Sequence, residues 1–289
     1  MKHITESYSA WQHAQADKMR LTKYRLLRDF LAETLGMIVF VAYSTGVAAQ
    51  ARLYEGGFGL TMDISTGYAA GWALGLFIAG SRSPGMCNPC IGFLNMLAGR
   101  LDPIKMLVFW LAELIGSILG SLLVMGIYME KIWEFTNHYD GGVLSMNTTG
   151  VIFTSTANGS TGTLVASQVI TGMFTFMAIM AILDKNNWNL SYFYVVVYAA
   201  VTQFLLVNDF AVQSTSIVNP AFDFGGRIAL SIAGWGAQPF TYADHTFWVF
   251  LVIPFVSAVL GLLVYELLVG IHLPGAGKSY DDNSVDESE

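Results

Sequence analysis

Apolar runs of about 20 residues alternate with short polar links along almost the whole chain. The runs lie near 26–49, 60–80, 104–128, 163–183, 190–207 and 247–271. Each is long enough for one transmembrane helix. Two shorter apolar segments interrupt the alternation, 91–98 and 221–230. Both are too short to span a bilayer, and each opens on an Asn-Pro pair, Asn88-Pro89 and Asn219-Pro220. Asn is a favoured N-cap, and Pro suits the first helical position because it has no N–H to leave unpaired. The two segments therefore read as half-helices lying between spanning helices. Backbone that stops at membrane depth is tolerated only where protein buries it or it lines a wet cavity.

The arrangement repeats. Three spans and a half-helix fill about 26–131, and three spans and a half-helix fill about 162–273. Three is odd, so the second copy enters the membrane from the opposite face. The predicted fold is an all-α membrane protein: six transmembrane helices plus two half-helices in an inverted repeat, its site near the midplane between the repeats. A polar tail, 1–25, and an acidic tail, 274–289, flank this repeated membrane domain.

Composition agrees. The chain is 54% apolar and 12% charged, about half the charged fraction of a soluble domain. The formal charge of −7 owes five acids to the last nine residues, and no basic stripe supports a nucleic-acid partner. With the N-terminus inside, Lys2, Lys18, Arg20, Lys23, Arg25, Arg28, Arg82, Arg100, Lys105, Lys185 and Lys278 face inward. Arg52, Lys131 and Arg227 face outward. The asymmetry predicts cytoplasmic termini. The longest polar connection, 131–162, is then extracellular, and its sequons at Asn147 and Asn158 are candidate N-glycosylation sites.

The only cysteines, Cys87 and Cys90, flank Asn88-Pro89. They read as small buried side chains around a half-helix start. No nucleophile–base set or metal cluster appears, so neither an enzyme nor a cofactor is expected. Glu33, Glu113 and Gln168 lie inside apolar runs, where ionisable groups default to function. Bent half-helix loops also leave backbone groups that need buried partners, and that role suits Glu33 and Gln168. Asp63 and Asp209 mark outer span ends. The run Gly116-Ser117-Ile118-Leu119-Gly120-Ser121 permits close helix contact.

The paired Asn-Pro motifs in an inverted repeat resemble the aquaporin family over about 26–273. The subfamily resembled is the aquaglyceroporins, through Asn219-Pro220-Ala221-x-Asp223-Phe224-Gly225-x-Arg227. Pro254-Phe255 resembles the Pro-Leu pair of that subfamily, so Asp223, Arg227 and Pro254 mark it. The resemblance implies a homotetramer with one pore per subunit. It places the pore midplane at Asn88, Pro89, Cys90, Asn219, Pro220 and Ala221. A second, outer selectivity filter falls on Tyr68, Val207, Ser216 and Phe222. The chain departs from the family at three of its positions. Phe222 stands where most of the family has Arg, removing a fixed cation and a fork of donors. Met86 stands where His is usual, and Cys90 where Ala is usual.

Physically, two half-helices meeting at the midplane present facing N-termini, each carrying roughly +0.5 of a charge. They form a barrier to cations, while the Asn amides donate to a passing oxygen. The expected function is a facilitative channel in a plasma-membrane bilayer, passing small neutral solutes such as glycerol, water and urea. Two alternatives stay open: a channel for bulkier neutral solutes such as protonated organic acids, and a non-conducting membrane scaffold plugged by Tyr68 and Phe222.

Overall fold

The computed structural model describes residues 2–54, 61–80, 83, 85–214 and 217–274. Ser216 and, apart from Pro274, the acidic tail lie outside the described residues. The first helix, α1 (Lys2–Met19), occupies the stretch read from sequence only as a polar tail. The first repeat then runs α2 (Arg25–Leu53), α3 (Thr61–Ala79), the half-helix α4 (Pro89–Leu97) and α5 (Pro103–Tyr139). The second runs α6 (Thr161–Leu183), α7 (Tyr192–Phe210), the half-helix α8 (Pro220–Leu230), a short α9 (Gln238–His245) and α10 (Phe247–Leu268).

Five of these helices are long and apolar enough to cross a membrane: α2, α5, α6, α7, and α10 with the turn that follows it. The sixth expected span is α3. Its 19 residues reach about 28 Å, and Asp63, Ser65, Thr66 and Tyr68 make its first turns polar. The chain shelters it instead, packing α3 between α2 and α7.

Two expected loops are partly helical. α5 continues past residue 128 to Tyr139. An exposed Lys131–Glu134 pair at 2.6 Å and the tilted rings of Phe135 and Tyr139, 4.4 Å apart, support the extra turns, and Ile132 and Thr136 are buried beneath them. The connection before α10 contains α9, whose backbone leaves helical geometry at Tyr242, Ala243 and Asp244.

Packing follows the inverted repeat. α2 packs on α3 and α5, as α6 packs on α7 and α10. α8 crosses the last span of the first repeat, α5, and α4 crosses α10. Close approach uses glycine: a Cβ on Gly36 would lie 2.7 Å from the Gly75 carbonyl oxygen, so α2 and α3 touch backbone to backbone. The small-residue run of α5 is used within the subunit. Gly116 and Gly120 face the carbonyls of Thr34 and Ile38 on α2, and Ser117 bonds α8.

Candidate channel pore

Each half-helix begins as its Asn-Pro pair dictates. Asn88 is extended (φ −161°, ψ 117°), and its side-chain oxygen accepts from the Cys90 N–H at 3.0 Å. Asn219 is likewise extended (φ −132°, ψ 99°), and its oxygen accepts from the Phe222 N–H at 3.2 Å. Pro89 and Pro220 take the first helical positions. The two caps also reach across the repeat. Asn88 Nδ2 donates to the Val218 carbonyl at 3.2 Å, and Asn219 Nδ2 donates to the Cys87 carbonyl at 2.7 Å. A primary amide has two N–H donors, so one hydrogen of each ties the halves together and the other is not used by that bond.

That exchange requires unusual backbone. Cys87 (φ 48°) and Val218 (φ 41°), the residues just before each Asn, both adopt left-handed conformations. This costs on the order of 1–3 kcal/mol at a non-glycine residue, and a β-branched Val is a pronounced case. The same strain on both sides aims each carbonyl at the opposite cap.

Buried side chains hold the strained loops. Glu33 on α2 accepts from the N–H groups of Met86 (2.8 Å) and Cys87 (2.6 Å) and from the Ser83 hydroxyl. Glu113 on α5 accepts the next N–H, that of Asn88, at 2.8 Å, while its other oxygen has no partner. One turn along α5, Ser117 donates to the Phe222 carbonyl at 3.1 Å. A single face of α5 thus fastens both half-helices. In the second repeat, Gln168 donates to the Ser214 hydroxyl at 3.0 Å. Cys87 and Cys90 are free, buried thiols.

Asp223 and Arg227, one turn apart on α8, form a buried ion pair (2.6 and 3.2 Å). Asp223 also accepts from the Ser155 N–H at 2.7 Å. The guanidinium donates to the Pro239 carbonyl and lies 5.7 Å from the Phe250 ring centre. With its donors directed at these partners, Arg227 anchors outer loops onto α8. Pro254 is buried within α10, and the adjacent Phe255 packs on Phe93 and Trp110, whose indole N–H holds the Pro89 carbonyl at 2.9 Å.

Of the positions expected to form an outer filter, Tyr68 on α3, Val207 on α7 and Phe222 on α8 belong to one buried apolar cluster. Each exposes no more than 1% of its surface, against 6% for Asn88 and 3% for Asn219. The Tyr68 and Phe222 rings lie 5.8 Å apart. Sequence reasoning missed Phe40 on α2, which packs 5.4 Å from Phe222 and 6.3 Å from Trp72. The signal was available: Phe40 follows Glu33 by two helical turns and so shares its inward face. On the other side of the waist is a cavity of about 260 Å3. Its wall includes Trp72, Leu76, Met86, Ile91, Ile179 and Leu183, with Asn95 and Tyr192 as polar groups. The two expected sequon asparagines, Asn147 and Asn158, are both exposed.

The sequence model described as major intrinsic protein matches residues 20–265, well over half of the chain. The chain belongs to the major intrinsic protein family. This is a family of membrane channels, not of enzymes. Human Aquaporin-9 is 29% identical over 263 residues, covering 89% of this chain and 88% of the relative. Aquaglyceroporin-2 of Rhizophagus irregularis is 26% identical, covering 86% of this chain and 78% of the relative. The X-ray structure of the aquaglyceroporin from Plasmodium falciparum superposes with a TM-score of 0.75 at 20% identity, over 85% of this chain and 98% of that one. At that identity the likeness speaks for the fold alone.

Proposed function

We propose that this member of the family is a facilitative channel for glycerol, urea and other small neutral solutes, together with water. The carrying observation is the waist. Two uncharged amide caps, at the facing N-termini of α4 and α8, each keep one donor after bonding the opposite loop. An oxygen-bearing neutral solute exchanges its bulk hydrogen bonds for these donors, while the two helix ends repel cations. Swelling of proteoliposomes in glycerol and in sorbitol tests the reading. Glycerol entry well above protein-free vesicles is expected, with sorbitol excluded; background glycerol flux would overturn it.

A second reading, passage of neutral solutes with an apolar tail, is favoured by the walls on either side of the waist. An aromatic surface built from Tyr68 and Phe222 lies outward, and the inner cavity is lined mainly by apolar side chains. Lactic acid flux measured below its pKa, in the same vesicles, tests it.

We assign residues 26–273 to the channel, with Asn88, Pro89, Cys90, Asn219, Pro220 and Ala221 at its midplane and Tyr68, Val207, Ser216 and Phe222 at its outer filter. Asp223, Arg227 and Pro254 are the subfamily features. The unit is a homotetramer in the plasma membrane with both termini cytoplasmic, and Asn147 and Asn158 are sites for extracellular N-glycans. The alternating course of the helices puts Arg28, Arg100, Lys105 and Lys185 on the N-terminal side, which supports that orientation. A tag at either terminus should react only in permeabilised cells, and a tag within 147–159 on intact cells.

A further inference from the structure

We propose that Phe40, outside the four expected filter positions, is a positioning residue that sets the outer width of the pore through Phe222. The proposal rests on the channel reading above. The backbone of Phe222 is fastened at both ends: its N–H bonds the Asn219 cap and its carbonyl bonds Ser117. The ring therefore changes place only by side-chain rotation. Two aromatic side chains pack against it, Tyr68 at 5.8 Å and 32° and Phe40 at 5.4 Å and 55°. Phe40 is in turn backed by Trp72 at 6.3 Å, whose indole N–H is held by the Met86 carbonyl at 3.4 Å. All four side chains are at most 3% exposed.

Interiors packed this closely leave no room for a neighbouring ring to swing. Phe40 thus fills space beside the Phe222 ring and limits its side-chain rotation. Truncating Phe40 opens a space that Phe222 can enter, which widens the passage although Phe40 itself meets no solute. The stack also joins the two constrictions, because Trp72 holds a carbonyl two residues before Asn88.

The test is a flux series on water, glycerol and erythritol in proteoliposomes, corrected for reconstituted protein. It compares the native chain with F40A, F40L, F222A and F40A/F222A. F40A should raise the erythritol-to-water ratio by about threefold or more, and F40L, which refills most of the space, should return most of it. In the F222A background the F40A change should fall to less than about half its size, since residues acting through one another are not additive. If F40A misfolds, F40L and F40M carry the comparison as graded losses of volume. An F222A that shifts the ratio while every Phe40 variant matches the native chain overturns the proposal and leaves the channel standing. An equal Phe40 effect with and without the Phe222 ring also overturns it. If neither the native chain nor F222A conducts, the channel reading falls and the proposal falls with it.

Discussion

The two half-helices start alike and are anchored differently. Both have an extended Asn cap, a Pro in the first turn, a left-handed residue before the cap and an amide bonded to the opposite loop. Beyond that they diverge. α4 carries no charge, and carboxylates from α2 and α5 hold the loop in front of it. α8 carries its own ion pair, which gathers Ser155 and Pro239 from the outer loops. The waist is what the duplication preserves, because both halves must meet there in matching geometry. The flanks are where the halves differ, and the outer flank holds Phe222.

The largest effect should come from the anchor of α8. Asp223→Ala leaves a buried guanidinium without its carboxylate and the Ser155 N–H without an acceptor. Breaking one side of a buried pair costs about 3–5 kcal/mol, so thermal unfolding in detergent should shift down by many degrees. A small shift would mean that Phe250 and the Pro239 carbonyl suffice to hold Arg227.

The next effect tests the likeness of the two caps. Asn88→Asp and Asn219→Asp each replace a donor with a group that only accepts, facing the carbonyls of Val218 and Cys87 respectively. Each should lower glycerol flux on the order of tenfold or more, the equivalent of about 1.4 kcal/mol or more of barrier. A large loss in one variant and none in the other would show that the two amides do unequal work despite their matching bonds.

How far this comparison was legible in the sequence differs between its two sides. The caps were readable because Asn-Pro fixes a local geometry that needs no knowledge of neighbours. Glu33 was readable as a buried partner for a bent loop, and its bonds to Met86 and Cys87 give that role a geometry. The reciprocal bonds of Asn88 and Asn219 were not readable, since they join residues 130 and 132 positions apart through carbonyls that every sequence has. The left-handed Val218 runs against its own preference, so no local rule predicts it. The turns of α5 beyond residue 128 were hidden because their polar composition looks like a loop until Ile132 and Thr136 are seen buried. The length of the Phe222 stack was hidden for the same reason as the cap bonds: Phe40 and Trp72 are two more aromatics in apolar helices until the packing brings them to one ring.

A smaller effect is expected at Phe222. Phe222→Arg places a donor fork and a charge at the outer filter, in a pocket now formed by Tyr68 and Phe40. Flux should shift toward compact polyols: the glycerol-to-lactic-acid ratio should rise by about threefold to tenfold, roughly 1 kcal/mol of discrimination. Flux ratios equal to those of the native chain would mean that the aromatic wall does not meet the solute. The difference between the flanks of α4 and α8 would then have no part in selectivity.

The smallest effect is predicted for Glu113, and it separates the two carboxylates that hold the first loop. Glu33 uses both oxygens, on two backbone N–H groups and the Ser83 hydroxyl. Glu113 uses one, on Asn88, and its second oxygen has no partner. Glu113→Gln can keep its amide oxygen on the Asn88 N–H and places an amino group within reach of the Glu33 carboxyl. A neutral acceptor bonds an N–H more weakly than a charged one, by about 1 kcal/mol. Against that stands the removal of a second carboxyl from a buried loop where Glu33 already lies. The two terms oppose, so Glu113→Gln should move the unfolding temperature by no more than a few degrees and leave the flux ratios unchanged. Glu33→Ala strands the Met86 and Cys87 N–H groups and should cost several times more. Equal losses from the two variants would mean that the unpartnered oxygen of Glu113 matters to the fold, and that the first half-helix is anchored as tightly from α5 as from α2.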